Sequence, residues 1–348
     1  MTLEESIYYP FVKLGTFFRA YITNKIVLKD KKQLAFENAL VTANQQNGWF
    51  TLSNLEYAVA QWGEQLTESN LTAWLSAYNL KQKKEAKTVG IVMAGNIPLV
   101  GLHDFLCVLL SGNNALIKLS SNDNVLVPFI AEFLIEENID FKNRITFTAT
   151  QLTNFDAVIA TGSNNTSRYF EYYFGKYPNI IRKNRNSVAV LTGEETTEQL
   201  KNLAIDVFQY FGLGCRSVSK IYIPDNYDID TLYKAFEEYK HVLDNHKYNN
   251  NYTYNKAVYL MSDFKFFDNG FLLLKQEESL ASPIATLYYE YFSDKEELLQ
   301  KLELKKEDIQ CIVSNSKTDE FINFGETQQP NLSDYADGID TMQFLTNL

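Results

Sequence analysis

A cysteine that follows a Gly-x-Gly turn can present its thiol where backbone amides and a neighbouring cation favour the thiolate, the nucleophilic form. Cys215 stands in that setting, in the run Phe211-Gly212-Leu213-Gly214-Cys215-Arg216-Ser217. Its competing reading is a buried core cysteine, the commoner fate of a free thiol. Cys107, inside the apolar run DFLCVLL, and Cys311, inside IQCIVS, fit that second reading better.

Three other spots carry polar groups that chemistry could use. In AGNIPLVG, residues 94–101, Gly95 makes a turn, Asn96 is presented and Pro98 helps open the next helix. An Asn amide there can donate to a developing oxyanion, as such side chains do in acyl transfer; otherwise it satisfies its own turn. In LIKLSSND, residues 116–123, Lys118 ends a strand and can meet a nucleotide ribose or phosphate, or be an ordinary surface lysine. In ATGSNNTSRYF, residues 160–170, small residues before a helix suit a phosphate close to backbone. No GxGxxG and no Walker sequence occurs. Three widely spaced cysteines make neither a disulfide framework nor a metal knuckle, so no metal is expected.

The elements that must position these residues follow from hydrophobic spacing. Residues 1–85 run at helical period and form a helical leader, with Ser53 and either Thr67 or Ser69 as helix caps. From Lys87 short apolar runs ending in Gly alternate with helical ones: TVGIVMAG, NALIKLS, ITFTA, DAVIATG and SVAVLTG read as strands. That alternation predicts parallel βαβ units in a doubly wound sheet, whose ligands sit at the carboxyl ends of strands. Between about 196 and 325 the pattern repeats. TTEQLKNLAIDVFQYFGLG, DIDTLYKAFEEYKHVL and DKEELLQKLEL read as helices there; SVSKIYIP, KAVYLM, IATLYYEYF and IQCIVSN read as strands. This is a second α/β domain. The C-terminal stretch NLSDYADGIDTMQFLTNL reads as a tail packed on something else.

The chain has 348 residues, enough for two cores, and a net charge of -11 that repels phosphate backbones and argues against nucleic acid. The cluster Lys81, Lys83, Lys84 and Lys87 beside Glu85 reads as a solvated linker. No run approaches the roughly 20 apolar residues of a membrane span, and MTLEESIYYPF lacks the basic and apolar regions of a signal peptide. A cytoplasmic location is the expectation.

Taken together and in order, GIVMAGNIPL, LIKLSSND, ATGSNNT, AVLTGEE and FGLGCRS resemble the ordered motifs of the aldehyde dehydrogenase superfamily. ESLASPIATLYYEYFSDKEELLQ resembles its ExFGPV segment and the strand and helix that follow. The resemblance covers roughly residues 88–325, and GNIPLVGLHDF with GLGCRS is most similar to LuxC-type fatty-acyl-CoA reductases. It implies an aldehyde-dehydrogenase-like fold. The helical leader (1–85) joins a Rossmann-type nicotinamide-binding domain within residues 1–193, a catalytic domain spans 194–325, and the tail spans 326–348. It further implies Cys215 as nucleophile, Asn96 with the Cys215 amide as oxyanion hole, and Lys118, Ser120 and Ser121 near the adenosine ribose. Gly162 and Ser163 would line the cofactor, and Glu278 would hold the nicotinamide ribose, although Pro283 lies one residue farther on than the pattern has it.

Two departures from the pattern shape the expected reaction. Where the superfamily's ELGG glutamate activates water, this chain has Val190-Leu191-Thr192-Gly193, with Glu194 and Glu195 only after the glycine. Without a water-activating base, acyl transfer and reduction of an acyl-CoA to an aldehyde are favoured over hydrolysis. Ser121 stands where a glutamate would hold a ribose 2′-hydroxyl, which points to NADPH, with NADH left open. Alternatives are an aldehyde dehydrogenase using Glu194 or Glu195 as base, an acyl-phosphate reductase, or a silent binding subunit with Cys215 buried. His103 is read as a helix residue satisfied by local hydrogen bonds, with proton transfer as its alternative role. A homo-oligomer is expected from the resemblance.

Overall fold

The computed structural model describes residues 3–23, 30–80, 85–315 and 321–348. It divides into two units, Met1–Lys183 with Asn331–Leu348, and Asn184–Pro330. Lys81, Lys83 and Lys84 of the basic cluster lie outside the described residues; Lys87 is half-buried, its ammonium 3.8 Å from Glu85.

The first unit opens with the helical leader: α1 (Leu3–Thr23), α2 (Lys31–Gln46), α3 (Leu52–Gln65) and α4 (Glu68–Leu75). Asp30 caps α2 in a reciprocal capping box with Gln33, and Thr67 caps α4. The cap of α3 is Thr51, whose hydroxyl accepts the Asn54 amide; Ser53 lies inside that helix. Gly15 lets α1 approach the end of α3, since a Cβ there would sit 2.2 Å from the Leu66 carbonyl oxygen. Aromatic packing ties the leader together: Phe36 of α2 meets Phe18 of α1 at 5.4 Å between ring centroids.

Next come β1 (Thr88–Val92), α5 (Leu102–Leu110), β2 (Asn114–Lys118), α6 (Leu126–Glu137), β3 (Ile145–Phe147), β4 (Ala157–Thr161), α7 (Asn164–Phe174) and β5 (Asn179–Arg182). Phe129 of α6 lies 5.0 Å from Phe36, seating the leader on this helix. The five strands form one parallel sheet in the order β3-β2-β1-β4-β5. Ile91, Ile117 and Ile159 at their centres are at most 1 % exposed, as expected when helices cover both faces. β5 was not anticipated, because NIIR offers only two apolar residues between polar ends.

The second unit holds β6 (Asn186–Val190), α8 (Thr197–Phe208), β7 (Val218–Pro224), α9 (Ile229–Phe236), α10 (His246–Met261), β8 (Phe266–Asp268), β9 (Leu273–Gln276), β10 (Thr286–Phe292), α11 (Lys295–Glu303) and β11 (Ile309–Val313). Its sheet runs β11-β6-β7-β10-β9-β8, and only β8 pairs antiparallel. The expected strand KAVYLM is instead the last part of α10. That helix buries Tyr248, Tyr252, Asn255 and Tyr259, three or four residues apart, and this helical period extends through the short apolar run.

The division between the units also differs from the expected one. Strand β6 pairs with β7 and β11, so the first boundary falls at 183/184 and not after 193. Residues 326–330 also stay with the second unit, where Asp206 binds Gly325 and Thr327; the tail that leaves it begins at Asn331. In the first unit, α12 (Thr341–Thr346) of that tail packs on α5. Arg182 joins them, pairing with buried Asp104 of α5 and donating to Thr341 Oγ1 at 2.9 Å. Among the described residues no helix is long and apolar enough to cross a membrane, and no cluster could hold a metal ion.

Candidate functional site

In the first unit the register aligns Val92 with Lys118 on one side and with Ala160 on the other. The loops after β1, β2 and β4 therefore leave side by side from one edge. This is the point where the strand order reverses, the usual ligand crevice of such sheets. Asn96, Lys118, Ser120, Ser121, Gly162 and Ser163 all lie on these exits; Cys215 and Glu278 belong to the second unit.

The β1 and β2 exits are packed against each other. A Cβ on Gly95 would lie 2.6 Å from Ser120 Oγ and 3.2 Å from Asp123 Cβ, so only glycine fits there. Asn96, next in the chain, has an exposed side chain. Pro98 is buried within the turn, and α5 begins only at Leu102 after Gly101. Leu99 takes a left-handed backbone, φ 59°, and donates its N–H to Asp123 Oδ2 at 3.2 Å. Asp123 is 6 % exposed, and burial pushes its carboxyl up to about 7 against the lowering pull of that amide. The sequence reading passed over Asp123, because an Asp in a strand-exit loop looks like any solvated turn residue.

The remaining exit residues have distinct settings. Lys118 is half-buried at the end of β2, and its carbonyl accepts the Met93 amide at 3.0 Å. Ser120 Oγ accepts the Asn122 amide, whereas Ser121 is exposed. At Gly162 a Cβ would stand 2.9 Å from the Phe170 ring and 3.0 Å from Thr166 Cβ, so its own helix α7 fills the space beside it. Ser163 caps α7, its hydroxyl accepting the Thr166 amide. An exposed hydroxyl at a helix N-terminus, with Lys118 on the same edge, is a donor set that fits a dinucleotide's phosphates and ribose.

His103 is half-buried in the first unit. Its Nε2 lies 2.9 Å from the Leu332 carbonyl, an acceptor, so Nε2 carries the proton and Nδ1 faces Cys107 Sγ at 3.8 Å. The partner is the C-terminal segment and not only a local group. Burial lowers its pKa and holds the ring neutral.

In the second unit, Cys215 is half-buried while Cys107 and Cys311 are buried. The chain reaches it through three consecutive left-handed residues: Tyr210 (φ 54°), Phe211 (φ 59°) and Gly212 (φ 75°). For non-glycine residues such backbone costs on the order of 1–3 kcal/mol each and persists only where packing enforces it. Tyr210 and Phe211 are accordingly buried. The turn is then fastened on several sides. Ser187 Oγ, on β6, donates to the Cys215 carbonyl at 3.0 Å, and the Ser217 amide donates to the Gly214 carbonyl at 3.0 Å. Arg216 Nε donates to the Thr327 carbonyl at 2.6 Å. Thr327 is itself held by Asp206 of α8, which accepts from its amide at 3.0 Å and its hydroxyl at 2.8 Å, and from the Gly325 amide at 2.7 Å. Asp206, Ser187 and Thr327 carried no recognisable sequence signal, since their partners lie up to 121 residues away.

Glu278 is exposed, and the backbone around it is fixed from β7, the strand that leaves the Cys215 turn. Fully buried Lys220 donates to the Glu278 carbonyl at 2.9 Å and to Glu290 at 2.7 Å, and Ser219 Oγ donates to the Leu280 carbonyl at 2.7 Å. Burial lowers the Lys220 pKa while Glu290 opposes the shift. Glu195 is engaged by its own turn, accepting from the Thr192 amide (2.6 Å), the Thr192 hydroxyl (2.8 Å) and the Gly193 amide (3.0 Å). Glu194 is exposed.

Comparison with known proteins adds a family and a fold. A family model for acyl-CoA reductase (LuxC) matches residues 28–248. A long-chain acyl-protein thioester reductase from Aliivibrio fischeri is 25% identical over 196 residues, 50% of this chain and 40% of the relative, so the match spans less than half of that protein. Among solved structures, a putative aldehyde dehydrogenase from Burkholderia cenocepacia superposes with a TM-score of 0.65 at 13% identity, over 92% of this chain and 76% of that one. An NAD-dependent aldehyde dehydrogenase from Sinorhizobium meliloti gives 0.64 at 12%, over 94% and 72%. The NAD+ complex of an aldehyde dehydrogenase from Bacillus cereus gives 0.62 at 12%, over 92% and 73%. The fold is that of the aldehyde dehydrogenases.

Proposed function

Because the chain belongs to the acyl-CoA reductase (LuxC) family, we propose that it reduces an acyl thioester, most simply an acyl-CoA, to an aldehyde through an acyl-enzyme on Cys215. The observation that carries this reading is the contrast among the three thiols. Cys215 alone is partly exposed, on a turn built from strained backbone, while Cys107 and Cys311 are buried. A buried thiol is inert, whereas an accessible thiol in a constrained turn can act as a nucleophile.

In the proposed reaction the Cys215 thiolate attacks the acyl carbonyl carbon and a C–S bond forms. The carbonyl oxygen becomes an oxyanion, for which the Asn96 amide and the Cys215 backbone N–H are the assigned donors. The oxyanion collapses, the bond to the coenzyme A sulfur breaks, and the departing thiolate takes up a proton. A reduced nicotinamide dinucleotide, NADPH preferred over NADH because Ser121 carries no charge, would supply a hydride to the acyl carbon when held on the first unit's strand exits. The resulting thiohemiacetal on Cys215 then releases aldehyde by breaking its C–S bond, and the thiolate is regenerated. Lys118, Ser120, Ser121, Gly162 and Ser163 are the residues proposed to hold the dinucleotide, with Glu278 on the nicotinamide ribose. The hydrogen bonds that occupy Glu195 speak against its serving as a water-activating base, which favours reduction over aldehyde oxidation.

The test is intact mass after incubation with acyl-CoAs of graded chain length, without reductant, for the wild type and Cys215→Ala. An acyl adduct on the wild type alone, discharged as aldehyde when NADPH is added, is the expected result. Folded wild-type protein that takes up no acyl group at any length would overturn the proposal.

A further inference from the structure

We infer that Asp206 is a positioning residue for the nucleophile, acting on Cys215 through Thr327 and Arg216. This inference rests on the proposed role of Cys215. Asp206 is 0 % exposed, yet it caps no helix and neutralises no cation in the contacts described for it. Its two oxygens instead take three hydrogen bonds from the segment that ends the second unit, at Gly325 and Thr327. Burying a carboxylate costs several kcal/mol, and here hydrogen bonds offset part of that cost. They are spent on fixing one short piece of backbone.

What that backbone does is visible at its other side. The Thr327 carbonyl accepts Arg216 Nε at 2.6 Å, and Gln328 Nε2 lies 3.4 Å from Ser217 Oγ, so both residues after Cys215 are gripped by the segment Asp206 holds. Gly325, with φ 89°, packs against α8, where a Cβ would sit 3.2 Å from Asn202 Cβ; this contact seats the segment on the helix that carries Asp206. The carbonyl of Cys215 is fixed separately by Ser187. Without the Asp206 bonds the Arg216 anchor loses its fixed position, and the thiol loses the constraint on its C-terminal side.

Thr327→Val removes the hydroxyl bond to Asp206 and the one accepted from Gln328 Nε2, in a side chain of nearly the same shape; Thr327→Ser restores both, and Asp206→Asn weakens the set that Asp206 makes. Second-order rates of iodoacetamide alkylation are measured for each on folded protein, with peptide mapping of all three cysteines. Cys107 and Cys311 are buried and label only when the structure opens, so they report unfolding internally. The expected result is a Cys215 rate about 3- to 10-fold lower in Thr327→Val and Asp206→Asn, wild-type behaviour in Thr327→Ser, and silent Cys107 and Cys311. An unchanged or faster Cys215 rate overturns the inference. A slower rate accompanied by labelling of Cys107 or Cys311, or not restored by serine, assigns the network to stability alone and overturns it too. Alkylation needs neither acyl-CoA nor nicotinamide, so an enzyme that forms no acyl adduct but still shows this pattern would refute the reductase proposal and leave the positioning role standing.

Discussion

Asp123 Oδ2 accepts the backbone N–H of Leu99, and through this 3.2 Å bond the loop leaving β2 fixes the left-handed turn that presents Asn96. The other oxygen of Asp123 is buried without a hydrogen-bond partner. The residue therefore trades stability for the shape of a loop.

That trade sets a pH dependence with a definite sign. The folded carboxyl titrates at about 7, above the unfolded value of 3.8, so the folded state binds the proton more tightly. Its contribution to stability is fully present below the unfolded value and is lost as pH rises through the folded one. Asp123→Asn avoids the loss. It should stabilise the protein increasingly between pH 4 and 7 and level off above, by an amount on the order of 4 kcal/mol in the limit. Urea midpoints at pH 5 and pH 8 measure this, and a gain that does not grow with pH would refute it.

Asn96→Ala should lower kcat about 10²- to 10³-fold, the usual cost of one oxyanion donor, with a much smaller change in KM. A rise in KM alone would place Asn96 in ground-state binding instead. Acyl-adduct formation by rapid-quench mass measurement separates the acylation step from later ones.

Ser121→Glu restores a carboxylate at an exposed position on the β2 exit. The charge should repel a 2′-phosphate, and the ratio of kcat/KM for NADPH over NADH should fall by roughly 10-fold or more. An unchanged ratio would move cofactor discrimination away from this loop.

Arg182→Ala should destabilise the first unit by about 3–5 kcal/mol, because it leaves Asp104 buried and uncompensated. Thr341→Val, which removes the bond from Arg182 to α12 together with the long bond from the Thr341 hydroxyl to the Ile339 carbonyl, should cost about 1 kcal/mol. Chemical denaturation checks both, and near-equal losses would mean that the tail, more than the ion pair, carries the effect.

Much of the architecture was determined by the sequence alone, because its signals are local. Short apolar runs ending in Gly95, Gly162 and Gly193 mark strands and their exits. Helical spacing over residues 1–85 marks the leader. Where a local signal was too short it misled: KAVYLM reads as a strand in isolation, while α10 around it buries tyrosines at helical period. Tertiary structure alone decided that β6 joins the second sheet, since pairing with β7 and β11 depends on which edges meet and not on the apolar pattern of SVAV. It also decided that Asp123, Asp206 and Lys220 are buried. A charged residue in a sequence looks solvated until the partners that compensate its burial are brought to it, and for Asp206 those partners lie about a third of the chain away.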